Sequence, residues 1–548
     1  MDTVTSMNIR CRMLSAILLT VATGAGATAA PVERCDDATF LRRASLDLIG
    51  RQPTPAEIAA FTADRDPAKR SATIDRLLAD KAWAATWARY FRDVILFRRS
   101  DDRAALMSGP LEQYLTARLA ADARWDEIAR GFITATGIPA EHGETAIIMA
   151  QMGETSDIAA EVSRIFLGIQ IQCAQCHDHF TDRWKRAQFH EFAAFFPRIA
   201  IRRADGMGAE RFEVVSHDFE PRGRSDRKKP PVDNPRRGDL EHEMPDLKDP
   251  SRPGTVMQPR FFLTGQSLPV GTSDLDRRAA IADWITADDN EWFARALVNR
   301  LWSELVGAGF YRGIDDIGPD REAESPEVLD EIAAAFVASG HDLRAVFRTI
   351  MRGDAYQRAS RSRSNPERAA FAANCPQRLR ADQLFTQVLT AVGVDESRLA
   401  GPGGQVRRRE NAPTEMRDEP PDEMMAGPRR QLNVPRAMFG QVFGYDPSLP
   451  REEIVGSIPQ ALLLMNSQPL ARAIDGDRRF TALGRLLAED RDDREVVAEL
   501  YLRSLARLPT PDEVATCLDH VRKSASRAEG FEDVFWALIN SAEFVTRN

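Results

Sequence analysis

The segment SDIAAEVSRIFLGIQIQCAQCHDH, residues 156–179, joins an amphipathic stretch to a dense group of sulfur and imidazole side chains. Its apolar residues recur at spacings of three and four, which indicates a helix with one buried face; these residues are Ile158, Val162, Ile165, Phe166 and Ile169. The spacing predicts a helix from about Ser156 to Ile171 that leads directly into Cys173. The fold and the candidate chemistry therefore meet in one short segment.

Helical spacing of apolar residues continues along the chain on both sides of this segment. Between residues 201 and 273 it disappears, prolines and charges accumulate, and two short stretches, Phe212 to Val215 and Phe261 to Thr264, are typical of strands. We therefore expect a mainly α-helical protein. Two multi-helix domains, residues 30–200 and 274–548, would bracket a small β-containing insertion.

Two further segments have the composition of loops. The insertion contains a basic run without interleaved aromatic residues, which favours a solvated loop over an anion-binding surface; its members are Arg222, Arg224, Arg227, Lys228 and Lys229. Residues 401–430 are rich in Gly, Pro, Arg and Glu. We expect a mobile loop there.

The N-terminus has the order of a secretory signal peptide. Arg10 and Arg12 precede the apolar run Met13 to Ala22, and small residues follow up to Ala30. Cleavage after Ala29 would remove residues 1–29. The sequence therefore predicts an exported protein that acts in the periplasm or at the cell surface.

Charge and hydropathy exclude other classes. The 548 residues carry 73 Lys and Arg against 82 Asp and Glu, a net charge of −9. Nucleic-acid-binding proteins usually carry the opposite charge, so we expect no nucleic-acid partner. Beyond the signal peptide no run of roughly 18 apolar residues occurs, so we expect no membrane span. The sequence leaves the oligomeric state open.

The motif Cys173-Ala174-Gln175-Cys176-His177 has the spacing C-x-x-C-H. Two thiols three residues apart can each bond a vinyl group of one porphyrin, and the following histidine then lies beneath the iron as its proximal ligand. This attachment of haem c happens outside the cytoplasm in bacteria, which agrees with the export signal. We expect Cys173, Cys176 and His177 to hold a haem.

Neighbouring residues keep two alternatives open. His179 and His190 follow closely, so Cys173, Cys176 and the histidines could instead form a zinc site. A disulfide between the two cysteines is the other alternative. His177 and His179 are too close along the chain to bind one haem iron from opposite faces. Candidates for a second axial ligand are Met149, Met152, Met207 and His190.

Two groups outside the motif have alternative interpretations. Asp315, Asp316 and Asp320 could bind calcium, but a solvated turn is the commoner outcome for such a cluster. On the helix predicted over Trp292 to Val306, we interpret Trp292 as core and Arg300 as a partner in an internal salt bridge.

An internal similarity links the two ends of the chain. Leu41-Arg42-Arg43-Ala44-Ser45-Leu46 followed by Pro53-Thr54-Pro55-Ala56-Glu57 resembles Leu502-Arg503-Ser504-Leu505 followed by Pro509-Thr510-Pro511-Asp512-Glu513. In both copies a capping Thr and a Pro begin a new helix after an amphipathic one. We predict two related helical hairpins that pack together.

Several longer motifs resemble a known pair of domains. The stretch Leu167 to His179 followed by Asp182-Arg183-Trp184 is similar to the signature of the planctomycete-type cytochrome-associated domain of unknown function, with Phe180-Thr181 where that family usually has Pro-Phe. The partner domain that usually follows resembles three later stretches, namely Asn290 to Trp302, Asp315 to Pro319 and Ser457 to Leu462. The resemblance implies an exported two-domain protein that accompanies cytochrome c-like modules, with no established reaction.

Together these observations favour an exported redox or electron-transfer protein with haem c at Cys173, Cys176 and His177, and a cytochrome or other redox protein as partner. The alternative is a non-redox extracytoplasmic protein for binding or surface-polymer processing. Its Cys/His cluster would hold zinc or stabilise the structure. The sequence does not decide whether the protein is an enzyme.

Overall fold

The computed structural model describes residues 32–99, 102–218, 241–249, 251–361, 371–394, 434–451, 454–489 and 491–548. The predicted signal peptide, the basic run of the insertion and the loop at 401–430 lie outside these residues. The described chain is mainly α-helical, as predicted, and its strands form only two-stranded sheets.

The first half of the chain forms a series of helices up to the predicted insertion. They are α1 (Asp37–Ile49), α2 (Pro55–Ala63), α3 (Lys69–Leu78), α4 (Lys81–Leu96), α5 (Asp102–Ala120), α6 (Trp125–Ile133), α7 (Ala146–Ala150), α8 (Thr155–Leu167) and α9 (Arg186–Ala193). A 3₁₀ turn, Gln172–Gln175, lies between α8 and α9 and contains the start of the cysteine motif.

Helices resume after the insertion. They are α10 (Asp274–Ile285), α11 (Glu291–Val306), α12 (Pro326–Ala338), α13 (Leu343–Arg352), α14 (Asp354–Gln357), α15 (Ala381–Val392), α16 (Val434–Phe443), α17 (Ile458–Met465), α18 (Gln468–Ala473), α19 (Ala482–Ala488), α20 (Asp493–Leu505), α21 (Pro511–Lys523) and α22 (Arg527–Ile539).

Three antiparallel strand pairs complete the described structure. Strand β1 (Ile199–Arg203) pairs with β2 (Phe212–Ser216), and β3 (Glu243–Met244) pairs with β4 (Thr255–Val256). Strand β5 (Gln377–Arg378) pairs with β6 (Thr546–Arg547) at the end of the chain.

The prediction of a strand at Phe212 to Val215 is confirmed, but the one at Phe261 to Thr264 is wrong. There the chain turns, because Gly265 adopts a φ of +77° and its N–H donates to the Phe261 carbonyl. Phe261 and Phe262 are buried in the core. Their aromatic side chains suited a strand, but the turn buries both of them.

Two apolar cores divide the described residues. The larger core takes side chains mainly from Cys35 to Cys375, and the smaller one takes them mainly from Leu379 to Phe544. Helices α10 to α13 therefore pack with the N-terminal helices. In one such contact the ring of Phe347 on α13 lies edge-on to Trp87 on α4, with centroids 4.4 Å apart. The insertion does not separate two independent cores.

The two predicted hairpins form the same local structure twice. Thr54 and Glu57 make a capping box at the start of α2, and Thr510 and Glu513 make the equivalent box at the start of α21. An arginine three residues before each Thr binds the box Glu through its two terminal guanidinium nitrogens, Nη1 and Nη2. The Gln52 side chain donates to the Arg503 carbonyl, so the hairpins contact each other as predicted.

No helix in the part of the chain that the structure describes is long and apolar enough to cross a membrane.

Candidate functional site: the cysteine–histidine turn

The segment that leads into the cysteine motif begins where α8 ends. The predicted helix to Ile171 stops at Leu167, because Gly168 adopts a left-handed φ of +66°. A Cβ at this position would lie 2.7 Å from Cγ1 of Ile317, so a larger residue would clash. The Ile317 N–H donates to the Gly168 carbonyl at 2.9 Å. A segment 149 residues further along the chain therefore fixes the direction in which the motif leaves its helix.

The two cysteines lie at a tight turn. Cys173 is within the 3₁₀ turn Gln172–Gln175, and Cys176 follows the turn directly, three residues after Cys173. Both are exposed and neither forms a disulfide. Between them Ala174 is fully buried and holds the turn against the core. The turn therefore presents two thiols outward from a rigid base.

A carbonyl group on the inner side of the turn is held by two donors. The Gln175 carbonyl accepts from Nε of Arg186 at 3.3 Å and from Nε2 of His190 at 3.0 Å. A carbonyl only accepts hydrogen bonds, so Nε2 of His190 carries the proton and Nδ1 carries a lone pair. That Nδ1 lies 2.8 Å from Nε2 of His242 and accepts a hydrogen bond from its N–H. Both ring nitrogens of His190 are thus used, and neither is left for a metal.

The pair of His190 and His242 is held neutral by burial. The rings stack with centroids 5.1 Å apart, and His190 is buried. Burial lowers the pKa of His190, and it lowers the pKa of His242 to about 3, with the His190 charge adding to the effect. A neutral pair keeps one donor and one acceptor on each ring. The hydrogen-bonded chain from His242 to Gln175 requires that arrangement.

His177 carries its proton on the other ring nitrogen from His190. Its Nδ1 lies 2.8 Å from the carbonyl oxygen of Asp178, so the proton is on Nδ1 and the lone pair is on Nε2. Among the described residues nothing bonds to Nε2, and the side chain is exposed. The ring of Phe180 packs against the imidazole with centroids 4.0 Å apart. His177 is therefore fixed as the tautomer that can bind a metal through Nε2.

His179 is fixed as the other tautomer. The N–H of Thr181 donates to Nδ1 of His179 at 3.3 Å, which puts the proton of the neutral ring on Nε2. The backbone N–H of His179 donates to the Trp184 carbonyl at 2.8 Å and holds the residue in the loop. Ligation through Nε2 of His179 would require a change of tautomer.

Charged side chains around Asp178 lie close to the cysteine motif. The Asp178 carboxylate accepts from the Arg186 N–H at 3.0 Å, and Lys185 lies 3.1 Å from its other oxygen. The Arg186 hydrogen bond, with a further contribution from Lys185, lowers the pKa of Asp178. A carboxylate charge therefore adjoins His177 on the exposed face of the turn.

The predicted ligands come together only in part. Cys173, Cys176 and His177 share one exposed turn, whereas Met149 is fully buried in the large core. Met152 and Met207 are exposed, and no described contact brings either to the motif. Across the residues that the structure places, no three His, Cys, Asp or Glu side chains are grouped as a metal site.

Contacts in the structure join the segment that follows the cysteine motif to the predicted aspartate cluster around Asp320. Arg183 forms an ion pair with Asp320, and Arg321 donates to the Thr181 carbonyl at 2.6 Å. Asp182 lies beside Asp320, and burial together with the Asp320 charge raises the pKa of Asp182. Two segments that are about 140 residues apart in sequence thus form one surface.

Asp315 lies beneath this surface in a buried ion cluster. One carboxylate oxygen pairs with Arg300, and the other accepts from Nη1 of Arg164 at 2.6 Å and from Oγ of Ser448 at 2.5 Å. Burial favours the neutral acid, but Arg300 and Arg164 outweigh it and lower the pKa of Asp315. The predicted internal salt bridge of Arg300 is confirmed. Neither a calcium site nor a solvated turn describes Asp315.

Sequence reasoning missed His242 and Arg186. His242 lies beyond a proline-rich stretch without periodicity, and 52 residues separate it from His190. Arg186 is near the motif, but nothing in its spacing indicates that its side chain reaches Gln175 and the Pro245 carbonyl. The only sequence signal for such contacts is the high number of histidines around the motif.

The donor set fits covalent haem attachment on three observations. Both thiols are free and exposed, they lie three residues apart at one tight turn, and the adjacent His177 has an open Nε2. Cys173 and Cys176 would bond the porphyrin, and His177 would be the ligand of the iron.

Comparison with known families gives two matches. Residues 20–200 match the PSCyt2 family, described as a protein of unknown function (DUF1549), and residues 277–521 match the PSD1 family, described as a protein of unknown function (DUF1553). The chain therefore carries these two domains in this order, and the pair formed by Arg183 and Asp320 connects them. No curated protein and no solved structure matches the chain.

Proposed function

We propose that this chain is an exported redox or electron-transfer protein that holds haem c at its cysteine–histidine turn. Cys173 and Cys176 form the thioether bonds, and His177 is the proximal ligand. A bound haem supplies one-electron redox chemistry. Its redox partner is another cytochrome or redox protein outside the cytoplasm.

One observation carries the proposal: the hydrogen bond of 2.8 Å between Nδ1 of His177 and the carbonyl of Asp178. A ligand histidine usually donates its second ring N–H to a carbonyl or carboxylate, which fixes the ring and makes the other nitrogen a better ligand. His177 already makes this bond with its coordinating nitrogen open. The adjacent thiols are exposed and only three residues apart, so one porphyrin could reach both.

The chain's own residues prepare the turn for attachment. Ala174 and the Gln175 carbonyl hold its inner side, so the outer side stays exposed. The Asp178 carboxylate lies on the exposed face next to His177. A nearby negative charge stabilises the oxidised, more positive form of an iron centre and lowers its reduction potential.

The zinc alternative receives less support from these contacts. A structural zinc site needs four ligands, and the two further histidines that it would recruit are held in other roles. His179 has its proton on Nε2, and His190 uses both nitrogens for hydrogen bonds. A site with two thiolates and His177 would lack a fourth described ligand.

The test is to produce the full chain in a bacterial host with the c-type maturation machinery and to measure its intact mass and pyridine haemochrome spectrum. We expect a mass gain of one haem and a c-type absorption band in the wild type. Cys176→Ala should reduce the yield of covalent haem at least tenfold.

A matched control is Cys517→Ala, which removes a cysteine outside the motif and should keep the haem. Wild-type protein without haem contradicts the proposal. A metal assay on the same sample then identifies a zinc site, in which case about one zinc per chain is bound and Cys176→Ala loses it.

A further inference from the structure

The guanidinium group of Arg451 is buried without a carboxylate of its own. Arg451 follows α16 in the chain and is 6% exposed. Its Nε donates to Oε1 of Gln377 at 2.8 Å, and its Nη2 donates to the Arg378 carbonyl at 2.8 Å. Both acceptors are uncharged. Among the described residues the only carboxylate within 4 Å is that of Glu304, and its oxygen lies 3.6 Å from Nε, outside hydrogen-bond range.

The neighbouring Arg380 shows the contrast with a compensated arginine. It donates to the carboxylates of Glu304 at 2.9 Å and Asp382 at 3.0 Å. Burial favours a lower pKa of Arg380, but the two carboxylates outweigh it and raise the pKa. Burial lowers the pKa of Arg451, and Glu304 does not offset this, because Arg380 and Arg547 repel the same charge. Glu304 therefore compensates Arg380 more than Arg451.

A second arginine beside Arg451 also lacks a counter-ion. Nη2 of Arg378 donates to the uncharged Oε1 of Gln460 at 3.1 Å, and no described residue forms an ion pair with it. Burial lowers the pKa of Arg378. Together with Arg380, three arginines here share two carboxylates. One positive charge is therefore left without compensation.

Three polar atoms around the Arg451 guanidinium have no hydrogen-bond partner among the described residues. They are Nη1 of Arg451, Nε2 of Gln377 and the hydroxyl of Tyr445. Gln377 is only 2% exposed, and the centroid of the Tyr445 ring lies 4.7 Å from Cζ of Arg451. Each of the three atoms can donate a hydrogen bond, and buried donors in proteins are nearly always bonded. The group requires an acceptor that the described chain does not supply.

We infer that Arg451, Gln377 and Tyr445 bind a small monovalent anion, of which chloride is the simplest. A halide ion accepts hydrogen bonds from several donors and supplies the missing negative charge. A water molecule in the same place would satisfy donors but leave the arginine charge uncompensated, and buried charges in proteins are paired. A metal cation would add to the excess positive charge.

The position of the site in the fold gives the anion a structural effect. Gln377 lies on β5, between Cys375 of the larger core and Leu379 of the smaller core. Arg451 comes from the segment that follows α16, whose Phe443 belongs to the smaller core. The anion therefore binds where the two cores meet and stabilises that junction. This effect is independent of the proposed haem.

The test is thermal unfolding of the mature chain, followed by circular dichroism, while sodium chloride replaces sodium gluconate at constant ionic strength. Constant ionic strength keeps general charge screening the same, and gluconate is too large for a buried site. We expect the melting temperature to rise by about 2 °C for each tenfold increase in chloride above its dissociation constant. In crystals grown with bromide, anomalous scattering should place a bromide ion beside Nη1 of Arg451.

Two variants locate the effect. Tyr445→Phe removes one hydroxyl and should raise the chloride dissociation constant by about tenfold, whereas Arg451→Met should abolish the chloride response. The matched control is Tyr114→Phe on α5, which removes a hydroxyl beside the larger core and should keep the wild-type response.

Equal melting temperatures of the wild type in the two salts, with no bromide peak at Arg451, overturn the inference and assign the three donors to water. A chloride response that Tyr445→Phe leaves unchanged overturns it as well, because the anion then binds elsewhere. The Tyr445 variant decides this point even if Arg451→Met does not fold.

Discussion

The buried ion cluster at Asp315 and the exposed turn at Cys173 both concentrate reactive side chains, but they differ in whether the polar atoms have partners. Both carboxylate oxygens of Asp315 are bonded, to Arg300, Arg164 and Ser448. In the turn the two thiols and Nε2 of His177 are exposed and unpaired among the described residues. The first group is complete without a ligand, and the second is not.

The difference separates structural from functional groups better than residue type does. The sequence makes the aspartates a candidate for calcium and the histidines candidates for one metal site. In the structure Asp315 and His190 use their polar atoms internally, and His177 does not. Side chains whose donors and acceptors are all hydrogen-bonded within the protein stabilise the fold. Side chains with an unbonded donor or acceptor remain available to bind a ligand.

The largest expected effect is on the buried cluster. Asp315→Asn removes the charge that compensates two buried arginines and should lower the free energy of unfolding by about 3–5 kcal/mol, measured by urea denaturation. The neighbouring Asp316 pairs with Arg321 at the surface. Asp316→Asn should cost about 1 kcal/mol or less. Equal effects of the two substitutions would contradict the structural role of Asp315.

The next effect is a pH dependence at the inner side of the turn. Because burial holds the folded-state pKa of His242 at about 3, the unfolded chain binds a proton at a higher pH, near 6.5. The contribution of His242 is therefore fully present above pH 6.5 and is lost progressively as the pH falls towards 3.

His242→Gln keeps a donor for His190 but removes the titration. Between pH 7 and pH 4.5 the variant should lose less stability than the wild type, by about 2–3 kcal/mol, in thermal or urea unfolding. Identical pH profiles of the two proteins would show that the histidine pair is not held neutral.

The smallest effect concerns the thiols themselves. Cys173→Ser and Cys176→Ser in the protein without haem should each change the free energy of unfolding by less than about 0.5 kcal/mol, because both side chains are exposed. Substitution of the buried Cys375 by Ser provides the contrast and should cost more than about 1 kcal/mol. A large loss in either motif variant would assign the thiols to the fold.

Much of the fold follows from local sequence signals. The two capping boxes at Thr54 and Thr510 depend on residues three apart, and the structure has both. The helix α8 ends at Leu167, four residues before the predicted end, because Gly168 adopts a left-handed φ of +66°; the Ile317 N–H that donates to the Gly168 carbonyl is a distant contact that no local pattern contains. Phe261 to Thr264 has the composition of a strand, but burial of its aromatic rings and Gly265 produce a turn.

The sequence predicts the candidate ligands of the site but not the hydrogen bonds and ion pairs that surround them. The spacing of Cys173, Cys176 and His177 is local, so the sequence contains it. The hydrogen bonds that distinguish His177 from His190 depend on His242 and on backbone carbonyls brought close by folding. Likewise the ion pair of Arg183 and Asp320 joins residues 137 apart. Tautomers and long-range pairs have no signature in residue spacing.

The most direct measurement compares His177→Ala with His179→Ala in the same maturation host, with covalent haem and its absorption spectrum as the readout. We predict that His179→Ala keeps the haem yield and spectrum of the wild type, whereas His177→Ala loses at least about 90% of the haem or changes its spectrum. Equal losses in both variants, or a wild-type spectrum in His177→Ala, would contradict the assignment of His177 as the prepared ligand.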